Sequence, residues 1–206
     1  MKRSRSSNAW LREHMSDSYV RRAQIEGYRS RAAYKLAEID DRDHLIRPGS
    51  LIIDLGAAPG GWSQLASERL KGHGRIIAVD LLDMPPLPEV LFVRGDFADP
   101  GVLRQIETLL AGQRVDLVLS DMSPNISGIA IRDQALAADL AARALDFARR
   151  WLKPDGALLV KVFQGCEFAK LLTEMRKGFG AVLTRKPGAS RDRSAELYLL
   201  GRMPKS

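Results

Sequence analysis

This sequence has a single cysteine, Cys166, which excludes an intramolecular disulfide framework and a multi-cysteine zinc site. No apolar run approaches the roughly 18 residues that a bilayer-spanning helix needs. The basic N-terminal stretch is not followed by the apolar segment of a secretory signal. There is no internal repeat, and no low-complexity tract beyond Met1–Ser7. A soluble, cytoplasmic protein with no membrane contact is the expectation. Two nucleotide-binding signatures are missing as well. The glycine-rich stretch Gly56-Ala57-Ala58-Pro59-Gly60-Gly61 lacks the Lys-Ser/Thr of a Walker loop, and it lacks the G-x-G-x-x-G spacing that lets a pyrophosphate approach the backbone. Dedicated phosphate chemistry at this loop is therefore excluded, which argues against a nicotinamide-dependent dehydrogenase.

What is present is an ordinary globular composition, 45% hydrophobic and 28% charged over 206 residues, which suits one domain with a sheet buried on both faces. The net charge of +7 is unevenly placed. Residues 1–35 hold nine basic side chains against Glu13, Asp17 and Glu26, a net of +6, and residues 185–206 carry a net of +4, which leaves −3 for the middle. A mildly acidic body between two basic ends is the layout expected when the ends touch a polyanion, and it favours nucleic acid over a merely solubilising tail.

After Gly27 the pattern alternates between strand and helix. Apolar runs end on acids: Leu51–Ile53 at Asp54, Ile76–Val79 at Asp80, Leu91–Val93 near Asp96, and Val115–Ser120 at Asp121. Ala157–Phe163 is a further strand, with short ones near Ala181–Thr184 and Glu196–Leu200. Helices are predicted from Arg31, capped by Ser30, to about Asp41, and near Trp62–Leu70, Val102–Ala111, Arg132–Leu152 and Glu167–Lys177. Strands that are apolar on both faces and alternate with helices form a parallel sheet wrapped by helices, whose ligand lies outside the carboxyl ends of the strands. One acid at such an end is an ordinary turn residue; four beside a glycine-rich loop mark a site.

The ligand follows from those acids. Asp80 lies 20 residues after Gly60, where a carboxylate accepts from both hydroxyls of a ribose. Asp96 is placed to meet an adenine amino group, and Asp121 a cationic part of the ligand. An adenosine without phosphate that carries a cation is S-adenosylmethionine.

Five segments, in order, resemble one family. Leu51–Trp62 is very similar to the cofactor loop of the FtsJ/RrmJ ribosomal RNA 2′-O-methyltransferases, and Ser30–Leu36, Val118–Asn125, Val160–Gly165 and Lys186–Tyr198 match as well. The resemblance runs from about residue 8 to 202. It implies a Rossmann-like class I methyltransferase fold, α/β with a mostly parallel seven-stranded sheet and helices on both faces. It also implies a basic, flexible RNA-binding leader over 1–28 and a single methyltransferase domain over 29–206. The cofactor-binding positions it implies are Asp54, Gly56, Gly60, Trp62, Asp80, Asp96 and Asp121, and the catalytic set is Lys35, Asp121, Lys161 and Glu196. The implied substrate is a uridine ribose of large-subunit rRNA, as free RNA or in the 50S subunit, and a monomeric enzyme is expected.

The residues make chemical sense of that set. Lys161 sits among Leu158, Leu159, Val160, Val162 and Phe163, and a lysine in a buried strand needs a partner or a lowered pKa. It is the candidate general base for the ribose hydroxyl, or the group that orients the oxygen and stabilises its developing charge. Asp121 would hold Lys161 and the cofactor's ammonium, Glu196 would position the lysine amine, and Lys35 would fix the nucleotide or its hydroxyl. Expulsion of a neutral thioether calls for no metal. Methylation of a base amino group is disfavoured because Asp121-Met122-Ser123-Pro124-Asn125 offers no aromatic to stack a flipped base. Methylation at a pyrimidine carbon would need a cysteine nucleophile, and Cys166 lies beyond the strand, where packing suits it better. A non-catalytic ribosome-assembly factor is the remaining rival, disfavoured by the intact lysine–acid set. Within the basic leader only Trp10, Tyr19, Tyr28 and Tyr34 could stack on bases, and the leader is expected to order only on RNA.

Overall fold

The structure is a computed structural model that describes residues 17–124, 127–165, 167–191 and 194–205. The expectations for Cys166, Asn125 and residues 1–16, Trp10 included, lie outside the described residues. The strands are β1 (Ser50–Leu55), β2 (Gly74–Asp80), β3 (Val90–Arg94), β4 (Val115–Ser120), β5 (Leu152–Phe163), β6 (Phe179–Arg185) and β7 (Glu196–Pro204). The helices are α1 (Ser18–Glu26), α2 (Ala32–Asp43), α3 (Gly61–Leu70), α4 (Pro100–Leu110), α5 (Ala130–Trp151) and α6 (Phe168–Gly178).

The strands form one sheet in the order β3-β2-β1-β4-β5-β7-β6. β3 through β5 are parallel, while β7 runs antiparallel to both β5 and β6. Alternation along each strand divides the core in two. Ile53, Leu55, Ile77, Val79, Val118 and Val160 face a layer that includes Ile106, Ala144 and Met175 of α4, α5 and α6. Ile52, Ile76, Leu117, Leu119, Leu159 and Leu200 face Leu36 and Ile39 of α2 and Leu65 and Ala66 of α3. Local signals agree with this layering. In α4, Asp99 caps the first turn, Pro100 opens it, and Val102, Ile106 and Leu110 form the buried stripe. No helix among the described residues is long and apolar enough to cross a membrane.

Four features differ from the sequence expectation. First, Ser30 does not cap α2 through its side chain. Arg31 occupies the cap position with no side-chain hydrogen bond, and the Ser30 hydroxyl packs where a Cβ on Gly61 would overlap it. Second, the segment Lys153–Gly156 interrupts no strand: β5 begins at Leu152, paired with Val115, and the register shifts between Val115 and Leu117. This bulge absorbs the proline and glycine, and Lys153 Nζ closes it on Asp116 at 2.7 Å. Third, β7 continues to Pro204. Fourth, α1 has no counterpart in the predicted elements. Asp17 caps it through Tyr19 N, Gly27 at φ +78° ends it, and Ala23 is its only buried residue. It docks through aromatic contacts, with the Tyr34 ring 5.5 Å from those of both Tyr19 and Tyr28. In the span read as a leader, residues 17–28 are therefore packed onto α2, and the three tyrosines are engaged there.

Candidate active site

β1 lies between β2 and β4, so chain connections leave it in opposite directions and a crevice opens at its carboxyl end. The glycine-rich loop rims that crevice. Gly56 (φ +78°) and Gly60 (φ +106°) hold backbone conformations that a side chain rarely adopts. A Cβ would also run into Met122 at Gly56, and into Arg29 and Met84 at Gly60. The Asp80 carboxylate ties the loop to β2, accepting from Ala58 N at 2.9 Å and Leu82 N at 2.8 Å. Asp96 accepts from Ala98 N at 2.9 Å. Arg29 donates to the carbonyls of Pro85 and Pro86 at 2.6 and 2.7 Å, which closes the segment after β2 over the loop.

Asp54 is deeper, 1% exposed. Its Oδ2 accepts from Ser63 Oγ at 2.7 Å, and its Oδ1 has no partner among the described residues. Burial pushes its carboxyl up to about 7; the Ser63 hydroxyl opposes that shift, and the charges of Asp121 and Asp80 add to it. The Trp62 ring packs beneath the loop. At 2% exposure the residue lies in the core, its Nε1 donates to Ala32 O at 2.8 Å, and its ring is 5.7 Å from that of Tyr198. It joins α3 to α2 and so supports the loop from beneath.

Beside the crevice, four predicted side chains come together. Lys161, 7% exposed on β5, donates from Nζ to the backbone carbonyl of Asp121 at 2.6 Å and lies 3.3 Å from Asp121 Oδ1. Lys35, on α2, pairs with Glu196 Oε1 at 2.7 Å. The two pairs are joined by Tyr198, a residue to which sequence reasoning assigned no role. Its hydroxyl lies 2.8 Å from Asp121 Oδ1 and 3.2 Å from Glu196 Oε1. The reversal of β7 accounts for this, because it sets Tyr198 opposite Lys161. The signal was the period of two: Glu196 and Tyr198 share a strand face. Burial, then the charges of Asp121 and Glu196, hold the Tyr198 hydroxyl well above its ordinary value. Burial also pushes Glu196 up, but Lys35, Lys161 and a hydrogen bond from Ser190 outweigh it, so Glu196 titrates below the usual carboxylate range.

A sheet of this order with one reversed strand, and a bare loop and acids around the carboxyl end of its first strand, define the α/β methyltransferase class. Within it, the chain belongs to the FtsJ-like methyltransferase family, whose sequence model matches residues 28–203. Two curated relatives, both named ribosomal RNA large subunit methyltransferase E, come from Thiobacillus denitrificans and Methylobacillus flagellatus. The first is 57% identical over 98% of this chain and 92% of its own length; the second is 59% identical over 98% and 97%. The crystal structure of a Plasmodium falciparum ribosomal RNA methyltransferase superposes with a TM-score of 0.78 at 29% identity, covering 86% of this chain and all of that one.

Proposed function

We propose that this methyltransferase moves the methyl group of S-adenosylmethionine to the ribose 2′-hydroxyl of a uridine in large-subunit rRNA, acting in the cytoplasm on the assembled 50S subunit. The observation that carries this reading is the unbroken chain Lys161–Asp121–Tyr198–Glu196–Lys35 beside the crevice. The names of the relatives support the choice of rRNA. All the members of the chain come from one polypeptide, which suits a monomer.

The residues of the crevice fit the cofactor. The unpartnered Asp54 oxygen, with Asp121 and Asp80 close enough to disfavour its charge, suits a ligand that brings positive charge. Asp80 spends two acceptor sites on Ala58 and Leu82, and a carboxylate has about four, so it retains capacity for ribose hydroxyls; Asp96 does so for the adenine. Gly56 and Gly60, both at positive φ, hold the loop in the turn that rims the crevice. When bound, the cofactor supplies a methyl group on a cationic sulfur.

The protein's part is to deliver an oxygen that sheds its proton. Both partners of Lys161 Nζ are acceptors on Asp121, so the nitrogen works as a donor. It orients the hydroxyl and stabilises the charge that develops on oxygen as the proton passes to solvent. Lys35, held by Glu196, fixes the nucleotide from the other end, and alignment supplies much of the acceleration. Single-turnover methylation of rRNA by Lys161→Ala tests this: a fall of about 100-fold or more is expected with cofactor affinity intact. Near-normal turnover would overturn it.

A further inference from the structure

Arg31, at the cap position of α2, and Lys35 and Glu38 within it recur at a spacing that puts them on one helix face. All three reach the segment between β6 and the start of β7. Arg31 donates to the carbonyl of Ala189, and Lys35 reaches Glu196 at 2.7 Å. The Glu38 carboxylate accepts from two successive backbone N–H groups, Gly188 at 2.5 Å and Ala189 at 3.0 Å. A carboxylate seated on adjacent N–H groups, with a guanidinium on the carbonyl that follows them, clasps the loop to the helix that carries Lys35.

The clasp presents Ser190. This residue is 4% exposed, its own N–H is tied to Pro187 O at 2.9 Å, and its hydroxyl donates to Glu196 Oε1 at 2.9 Å. That same oxygen takes Lys35 and the Tyr198 hydroxyl.

We propose that Ser190 is a positioning residue for methyl transfer, its hydroxyl locking the Glu196 carboxylate in the orientation that holds Lys35 and Tyr198. This rests on the reading of the site given above. Ser190 acts only through Glu196. Without the hydroxyl, the carboxylate keeps two partners that approach it from different elements and is free to turn between them. The charged and titratable groups facing Glu196 are Lys35 from α2, Arg31 at its cap, Lys161 from β5 and Tyr198 from its own strand, with Lys186 on the Glu196 backbone carbonyl and Asp121 behind Tyr198. None of them changes when Ser190 is replaced.

The test compares full-length wild type, Ser190→Ala and Ser190→Thr in rRNA methylation across pH, together with the titration of the Glu196 carboxylate followed by carbon NMR. Ser190→Ala is expected to lower kcat about tenfold, the loss of one hydrogen bond to a charged group, with KM nearly unchanged. Because the serine bond favours the ionised form of Glu196, its removal moves both the NMR titration and the acid limb of kcat to higher pH. Ser190→Thr restores both. Should Ser190→Ala melt below the assay temperature, Ser190→Val set against the isosteric Ser190→Thr gives the same comparison. An unmoved Glu196 titration, or a loss of kcat that threonine does not rescue, would overturn the proposal. Wild type that fails to methylate rRNA while the NMR shift is seen would overturn the functional reading instead.

Discussion

Asp54 is the side chain whose surroundings are least resolved by the protein's own atoms. One oxygen has Ser63 and the other has no partner among the described residues, in a site with almost no solvent. Its carboxyl titrates at about 7 in the folded chain, against roughly 3.9 when unfolded. Between those values the native state binds more protons, so stability falls as pH rises from about 4 to about 7. Asp54→Asn, which keeps a partner for Ser63, is expected to flatten that slope and to be the more stable form at pH 8 by a few kcal/mol. Urea unfolding of the cofactor-free protein at several pH values measures it, and parallel curves for the two proteins would contradict it. Such residues were legible in the sequence because they break a pattern: an acid at each strand end, a lysine inside an apolar strand. Tyr198 broke none. A tyrosine among Leu197, Leu199 and Leu200 reads as core, and only the antiparallel pairing that sets it across from Lys161 shows what its hydroxyl does. Trp62 shows the reverse, a residue in the matching motif whose ring belongs to the core.

At the level of elements, α2 organises the site. One face packs Leu36 and Ile39 into the core, and another carries Lys35 to Glu196 and Glu38 to the Gly188–Ala189 backbone. Its neighbour α3 approaches closely because Gly61 leaves room for the Ser30 hydroxyl. Gly61→Ala is expected to force the two segments apart at a cost of about 1–3 kcal/mol, lowering Tm by several degrees; calorimetry reads this, and an unchanged Tm would show that the segments yield freely. The alternation of strand and helix was legible throughout because periodicity and strand-end acids agree with the layering. α1 escaped because its docking depends on tyrosines and one alanine, which produce no apolar stripe. The β5 bulge escaped because a Pro–Gly pair reads as a break unless Val115 is known to face Leu152.

For the whole molecule, the two basic ends are less available than the bare count suggests. Arg31 and Arg191 both pair with Asp17, Arg185 with Asp43, and Lys35 with Glu196, while Lys186 donates to the carbonyls of Ser194 and Glu196. Much of the charge that pointed to a polyanion is thus spent on tying the termini to the body. We propose that Lys2, Arg3, Arg5 and Arg12 make the main phosphate contacts. Replacing all four with glutamine is expected to reduce the slope of log affinity against log salt for an rRNA fragment by roughly 3–4, at about 0.7–0.9 for each phosphate that is no longer neutralised. Fluorescence titration at several salt concentrations reads the slope, and an unchanged value would place the phosphate-binding residues elsewhere.

The most direct test is to map ribose methylation in large-subunit rRNA by nuclease digestion and mass spectrometry. The rRNA would come from cells that lack this protein, before and after wild-type or Lys161→Ala protein and S-adenosylmethionine are added to the purified 50S subunits. One uridine is expected to gain about 14 mass units on its ribose with wild type, a single hydrogen having been replaced by a methyl group, and only a small fraction of that yield is expected in the same time with Lys161→Ala. A methyl group on a base, or equal methylation by the two proteins, would contradict the account.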